Sequence, residues 1–360
     1  MLSSAEVGGC VLGNLFGRRR NSLNALRLGL ASLVIVSHSW WLGAYGPEPA
    51  PGGVKLGSWA VLGFFGISGY LITQSRMTST VRTFWRARLL RIFPGLVACI
   101  ATVSFVFAPL SALATGRRYA FYDAVLFFLS NLSAGAPGVA LRGIPGSLDG
   151  LPDPGAWNGP LWTLFWELVC YALAGTVLGV LRPELARVAL LVPFLVGSAF
   201  VFTLDMGWGP VRTPPDWPLV PLLTFLAGSL TYLYRDRISA SQVAVGACAV
   251  GVIAIGGAGL VPSLIHIPLC VLLLASSLYL PLASVGSRFD ISYGVYIYGW
   301  PVQQVLASMG LHTAVPPLFF AAVSLLLVFP VAWLSCRYVE MPARGWFRRW
   351  KDPRRAPQLA

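Results

Sequence analysis

Long apolar stretches alternate with short polar ones along most of the 360-residue chain. A helix needs roughly 20 apolar residues to cross the hydrocarbon core of a bilayer, and ten stretches approach that length. The stretches are continuous and lack the alternation of barrel strands. The pattern therefore predicts an all-α, polytopic transmembrane helix bundle with about ten spans. They lie near residues 25–43, 57–75, 90–112, 161–181, 187–204, 217–234, 242–260, 263–284, 290–309 and 316–336.

Two further segments interrupt this pattern. Residues 119–133 are apolar but short, contain Asp123 and follow a pair of arginines, so they predict an interfacial or re-entrant helix. Residues 134–160 are polar and rich in Gly and Pro. Long loops of this kind carry function or are disordered connectors, and both interpretations stay open.

The composition agrees with a membrane protein. The chain is 56% hydrophobic and 11% charged, with a mean hydropathy of +0.71, which excludes soluble and disordered classes. The net charge of +13 raises the possibility of a nucleic-acid partner, but no nucleic-acid-binding motif accompanies it. The six cysteines are scattered and show no CxxC spacing, so we expect neither disulfides nor a metal site.

The basic residues predict the orientation of the chain. With ten spans and a cytoplasmic N-terminus, 21 of the 26 Lys and Arg residues fall on the cytoplasmic side, as the positive-inside rule requires. We accordingly expect a basic cytoplasmic tail over 1–21, a transmembrane domain over 22–342 and a second basic cytoplasmic tail over 343–360. The pattern makes no prediction about oligomeric state.

Ionisable residues inside predicted spans are the first candidates for function, because they are costly to place there. Arg27 and His38 lie eleven residues apart on the first span, a spacing that puts both on one helix face. A hydrogen bond from His38 to a neighbouring backbone is the simpler alternative. Glu167 lies about two turns into the fourth span, at a depth similar to that of His38. A His–carboxylate pair at that depth fits general-base chemistry.

Polar and aromatic residues near Glu167 predict a pocket for the acceptor substrate. Asn158 and Trp162 precede Glu167 on the same segment, and Tyr293 belongs to the tyrosine-rich segment 290–304. We assign these three residues to an acceptor pocket. Interfacial anchoring is the alternative for the tryptophan.

Arginines and glycines near the second and third spans suggest a phosphate-bearing ligand. Arg88 and Arg91 share one face at the cytoplasmic mouth, and arginine forks suit phosphate oxygens. Simple topological anchoring is the alternative. Gly69 belongs to a stripe of glycines on the second span, which favours helix packing or, with Ser68, the lining of a pocket.

Several of these segments together resemble the membrane-bound acyltransferase-3 family of O-acyltransferases, which modify bacterial surface and secreted carbohydrates. The resemblance covers nearly all of residues 22–342. It rests on the Arg27 and His38 helix followed in order by FFGISGYLIT, RLLRIFP, PLWTLFWELVCY and ISYGVYIYGWP. The chain departs from the common SGF sequence at Tyr70.

The resemblance implies a function. It predicts about ten spans in a bacterial inner membrane, a cytosolic acyl-CoA (acetyl-CoA) as co-substrate with no permanently bound cofactor, and transfer to a carbohydrate hydroxyl at the outer side. His38 matches the essential histidine of the family. Arg27 matches the arginine that precedes this histidine, Arg88 and Arg91 match an RxxR pair attributed to donor handling, and Glu167 matches the carboxylate of the tryptophan-containing helix. We assign Arg27 to donor binding together with the pair.

A second function class stays open at this point. A transporter or flippase for an anionic or glycan substrate could use Arg27, His38 and Glu167 as a proton relay. The absence of a visible inverted repeat argues against it.

Overall fold

The structure, a computed structural model, describes residues 11–18, 21–208 and 217–345. Within these residues it is all helical and contains no β-strand, which confirms the all-α part of the predicted fold class. Each of the ten predicted apolar segments contains a helix. The helices are α1 (Leu12–Arg18), α2 (Leu23–Leu42), α3 (Leu56–Thr78), α4 (Val81–Ala114), α5 (Phe121–Asn131), α6 (Leu161–Val180), α7 (Pro183–Asp205), α8 (Leu219–Leu233), α9 (Gln242–Gly257), α10 (Val261–Leu264), α11 (His266–Ser276), α12 (Ser292–Ser308), α13 (Leu311–Ala314) and α14 (Pro317–Gly345).

Local sequence sets several of the helix boundaries. Ser241 is the N-cap of α9, and its side chain accepts a hydrogen bond from the Ala244 amide. Pro183 and Pro317 open α7 and α14, where the missing amide proton of proline costs nothing. Short π-helical turns interrupt α4 and α14 at Val103–Phe107 and Cys336–Glu340.

The structure does not confirm the count of ten spans. By length and composition six of the described helices can cross a membrane, namely α2, α3, α4, α6, α7 and α14. The helices α8, α9 and α11 are apolar but shorter. The 11 residues of α11 extend about 16 Å at 1.5 Å per residue, roughly half of the hydrocarbon core. Apolar runs of the right length therefore do not all form helices of that length.

The short segment at 119–133 forms the helix α5, as expected, with exposed apolar side chains that include Phe121, Tyr122 and Leu129. The loop that follows is held by its own hydrogen bonds. The Trp157 indole donates to Ser147 Oγ at 2.7 Å, and Trp157 is completely buried. This packing favours a structured loop over a disordered connector.

The described chain forms two compact units, each built from separate stretches. The first contains residues up to His38, Pro47–Val81 and Trp166–Arg288, and the second contains Ser39–Gly46, Arg82–Phe165 and the chain from Phe289 onward. The predicted domain 22–342 covers parts of both. Most of the predicted tails 1–21 and 343–360 lies outside the described residues.

In the first unit, α3 and α8 pack with their backbones in close approach. A methyl group added at Gly69 would lie 2.1 Å from the Phe225 carbonyl oxygen, and one added at Gly228 would lie 2.1 Å from that of Gly66. The glycine stripe of the second predicted span thus serves helix packing.

In the second unit, the polar loop before α6 runs along one face of α12. The side chain of Gln304 donates to the Ala156 carbonyl at 2.9 Å, and the Trp300 indole donates to the same carbonyl at 3.0 Å. Two turns earlier on α12, the Ile297 carbonyl accepts from Asn158 Nδ2 at 2.8 Å. These contacts explain how Gln304 and Trp300 are accommodated in an apolar helix.

Candidate active site

His38 lies on α2, and the carboxylate beside it belongs to Glu48 in the loop between α2 and α3. His38 Nδ1 is 3.3 Å from Glu48 Oε2. The same oxygen accepts a hydrogen bond from Ser37 Oγ at 2.6 Å, and Lys55 Nζ lies 3.5 Å from the other carboxylate oxygen. Three polar contacts thus converge on one carboxylate beside the histidine.

The environment of Glu48 keeps its carboxylate ionised. Its side chain is 6% exposed, against 19% for His38 and 49% for Lys55. Burial opposes ionisation, but the hydrogen bond and charge of His38, the Ser37 hydroxyl and the Lys55 ammonium outweigh it and lower the pKa of Glu48 to about 2. The carboxylate is therefore a permanent anion at physiological pH.

The loop geometry brings Glu48 back to the helix that precedes it. Gly46 adopts a φ of 111°, a conformation open to glycine, and it lies where the chain reverses after α2. On the other side of the imidazole, a methyl group added at Gly57 would lie 3.5 Å from His38 Cε1. Gly46 therefore provides the backbone conformation of the chain reversal, and a side chain at Gly57 would lie at van der Waals distance from the imidazole.

Glu167, the predicted partner of His38, contacts hydroxyl groups instead. Its Oε1 accepts from Ser68 Oγ at 2.9 Å and from the Tyr171 hydroxyl at 2.5 Å. Sequence analysis paired His38 with Glu167 because the two lie at a similar depth. The structure corrects this choice of carboxylate to Glu48, because depth along a helix does not determine where a side chain points.

The two arginines predicted to bind the donor have different surroundings. Arg91 Nη2 lies 2.6 Å from Asp290 Oδ2, and each side chain of this ion pair is 16% exposed. Arg88 Nε is buried and has no hydrogen-bond partner among the described residues. The charge of Arg91 is thus neutralised within the protein, whereas Arg88 keeps an unused donor.

The other residues predicted for the donor site take separate positions. The backbone of α8 occupies the space where a side chain of Gly69 would lie. The predicted role of Gly69 in a pocket is therefore corrected to helix packing. Ser68 instead binds Glu167. Arg27 lies on the same uninterrupted helix as His38 and is partly exposed, as the shared-face argument requires.

Two of the residues predicted for the acceptor pocket have structural contacts. The Tyr293 hydroxyl donates to the Ile92 carbonyl at 2.8 Å and the side chain is 8% exposed, so it joins α12 to α4. Asn158 is 9% exposed; its Nδ2 is bound, while its Oδ1 has no partner among the described residues. Trp162 is partly exposed on the first turn of α6.

Comparison with known proteins identifies the family of the chain. A family model described as an acyltransferase domain matches residues 20–337, which is most of the chain. The chain belongs to this acyltransferase family. The match confirms the resemblance seen in the sequence motifs and favours the enzyme over the transporter.

Relatives of this acyltransferase point the same way. An O-acetyl transferase of Shigella phage Sf6 is 31% identical over 331 residues, which cover 88% of this chain and 94% of that protein. Nodulation protein 10 of Rhizobium leguminosarum bv. viciae is 28% identical over 323 residues, which cover 81% and 85%. No solved structure matches the chain. Family and relative together support an O-acyltransferase.

Sequence analysis missed Glu48 in this acyltransferase. Only acids within predicted spans were weighed, and Glu48 lies in a loop between two prolines, ten residues after His38. That spacing was the available signal, because a short loop after a helix can fold back onto its last turns. Among the described residues, no group of three or more His, Cys, Asp or Glu side chains is placed to hold a metal ion.

Proposed function

We propose that this acyltransferase moves an acyl group, acetyl in the first instance, from cytosolic acyl-CoA to a hydroxyl group of a carbohydrate acceptor. In this proposal the enzyme works in the bacterial plasma membrane with both termini cytoplasmic, and the acceptor is modified at the outer side. The observation that carries the proposal is the contact of His38 Nδ1 with the buried Glu48 carboxylate. The acetyl group is chosen because a relative is named an O-acetyl transferase.

His38 acts as the general base. In this mechanism Nδ1, which lies 3.3 Å from Glu48 Oε2, carries the proton of the neutral imidazole, and the lone pair is on Nε2. The acceptor hydroxyl loses its proton to Nε2 as its oxygen attacks the thioester carbonyl carbon. The tetrahedral intermediate then expels the CoA thiolate, which takes the proton back from the imidazolium. The products are the ester and free CoA, with no net proton gained or lost.

Glu48 orients His38 and stabilises its charged form. An ionised carboxylate at Nδ1 selects one tautomer and favours the imidazolium that forms during attack, as the aspartate does in a Ser–His–Asp triad. Ser37 and Lys55 hold the carboxylate in place. General-base assistance of this kind contributes about 10²–10⁴-fold to the rate.

Donor and acceptor bind through different groups. Arg88, with its unused Nε, binds donor phosphates, and Arg27 on the helix of His38 provides a further cationic contact. Arg91 holds the start of α12 through Asp290. Asn158 Oδ1 and the partly exposed Trp162 contribute to acceptor binding.

An assay of CoA release tests the function. The purified full-length chain is incubated with acetyl-CoA radiolabelled in the acetyl group and with bacterial surface glycans, and both free CoA and labelled glycan are measured. We expect wild type to produce both, and His38→Ala to lower both rates by at least about 10²-fold. His312→Ala, at a histidine on α13, provides the matched control and should retain activity.

Two results would contradict the proposal. The first is wild-type activity in correctly folded His38→Ala protein, verified by its melting temperature and membrane insertion. The second is movement of a glycan across proteoliposomes by wild type without any release of CoA, which would favour a transporter.

A further inference from the structure

Arg76, in the last turn of α3, is a buried cation without an anionic partner in the described residues. The residue is 8% exposed. No other Lys or Arg residue that the structure describes is as buried. No carboxylate of the described residues lies within ion-pair distance of it. Burying a charge in this way is costly unless something compensates it.

The guanidinium is held in one orientation by backbone carbonyl groups. Arg76 Nε donates to the Gly175 carbonyl of α6 at 3.0 Å, and Nη1 donates to the Ser79 carbonyl at 3.2 Å. The group lies against the surface of α6 at Gly179, where an added methyl group would lie 2.2 Å from Nη2. Nη2 makes no hydrogen bond within the described part of the chain.

Carbonyl groups alone leave most of the charge of Arg76 uncompensated. Both carbonyls lie near helix C-termini, whose dipoles offer about half an elementary negative charge. Two other partly buried arginines each have a full anion, since Arg91 pairs with Asp290 and Arg344 pairs with Glu340. A fixed guanidinium with one free amino group suits a phosphate oxygen, which would supply the missing negative charge.

We propose that Arg76 binds a phosphate group of the acyl-CoA donor. The inference rests on the proposed function, because it takes acyl-CoA as the donor. In the topology predicted from the basic residues, α3 and α6 both run from the outer to the cytoplasmic side. Their C-terminal ends would then lie where the donor enters. Arg76 is then a donor-binding residue at the C-terminal end of α3.

The test compares two donors that share the thioester but differ in phosphate. Acetyl-CoA carries the phosphates of the nucleotide, whereas S-acetylpantetheine carries none. Steady-state kinetics of the purified full-length protein are measured for both donors. We expect Arg76→Gln to raise the KM for acetyl-CoA by about 10-fold to 100-fold, the value of a charged hydrogen bond, and to leave the KM for S-acetylpantetheine and both kcat values nearly unchanged.

A second variant displaces the guanidinium without removing it. In Gly179→Ala the new methyl group meets only the flexible end of Arg76, so the fold should persist while Nη2 moves. We expect the same selective rise in the KM for acetyl-CoA. Arg82→Gln is the matched control, since Arg82 is an exposed arginine six residues further along the chain, and it should change neither KM.

Each outcome decides between explanations. Equal effects of Arg76→Gln on both donors, or no effect on either, would overturn the inference and leave Arg76 as a structural link between α3 and α6. A Gly179→Ala enzyme with unchanged donor selectivity would also overturn it, even if Arg76→Gln failed to fold. Failure of wild type to use acetyl-CoA at all would overturn the proposed function together with the inference.

Discussion

Individual side chains decide the chemistry of this protein through the groups they touch. In the sequence, His38 and Glu167 are equivalent candidates, because both are ionisable residues in apolar helices. In the structure His38 contacts an anion, Glu48, whereas Glu167 accepts hydrogen bonds from Ser68 and Tyr171. One carboxylate thus contacts an imidazole and the other contacts hydroxyl groups, and only side-chain direction distinguishes them.

Replacing the Glu48 carboxylate should lower the rate more than it lowers donor binding. Glu48→Gln removes the charge that orients His38 and stabilises the imidazolium, so we expect kcat to fall by about 10²-fold or more with little change in the KM for acetyl-CoA. Lys55→Gln is the comparison variant, because Lys55 is half exposed and its charge is screened by solvent. If kcat of Glu48→Gln equals that of wild type, Glu48 has no role in orienting the base.

The same variant has a pH dependence of stability with a defined sign. The pKa of Glu48 is lowered from 4.5 to about 2 in the folded protein, so its ionised form stabilises the fold above pH 4.5. That contribution, up to about 3 kcal/mol, is lost as the pH falls from 4.5 towards 2. Thermal unfolding in detergent should therefore show a large difference between wild type and Glu48→Gln at pH 7 and a smaller one at pH 3. An equal difference at both pH values would contradict the assignment.

The Arg91–Asp290 ion pair should behave as one coupled unit. Arg91→Gln leaves Asp290 as an unpaired, largely buried anion, so we expect it to be more destabilising than the double variant with Asp290→Asn, by about 1–3 kcal/mol. The new asparagine can still accept from the Ser292 amide, as Asp290 does at the start of α12. The control is a double-mutant cycle of Arg88→Gln and Asp290→Asn. The effects of these two substitutions on the free energy of unfolding should add.

Helices of this protein pack according to the atoms at their closest approach. Sequence analysis recognised the glycines of α3 but left helix packing and ligand lining open for Gly69. The Phe225 carbonyl on α8 settles this in favour of packing, because no side chain fits between two backbones. The lengths of α8, α9 and α11 also differ from their apolar runs, since hydropathy does not report where a helix ends.

Substitution at the contact of α3 with α8 should destabilise the protein. Gly69→Ala places a methyl group against a backbone carbonyl that cannot move aside, and we expect a loss of about 1–3 kcal/mol. Gly251→Ala on α9 is the control, because nothing lies within 4 Å of its added methyl group, and it should be neutral or slightly stabilising. The midpoint of thermal unfolding in detergent measures both. Equal midpoints for the two variants would show that the close approach is absent.

At the scale of the whole molecule, hydropathy and charge predict that the chain lies in a membrane, but they do not predict how its helices pack. The apolar runs predict an all-helical membrane protein, and the described residues and the family match support both parts of this prediction. The bias of basic residues predicts an orientation from charge alone. Neither pattern contains the division into two compact units, each assembled from distant stretches.

The sequence by itself determined the class of the protein, its helical segments and its family, and it singled out His38 as the candidate base. These results depend on composition, hydrophobic periodicity and the order of motifs. Tertiary structure alone decided that Glu48 and not Glu167 lies at the imidazole, and that Gly69 meets a backbone. It also decided that Arg91 is paired, whereas Arg88 and Arg76 each have a donor without a partner among the described residues. Each of these depends on distances between residues far apart in the chain or on the direction of a side chain, and a linear pattern carries neither.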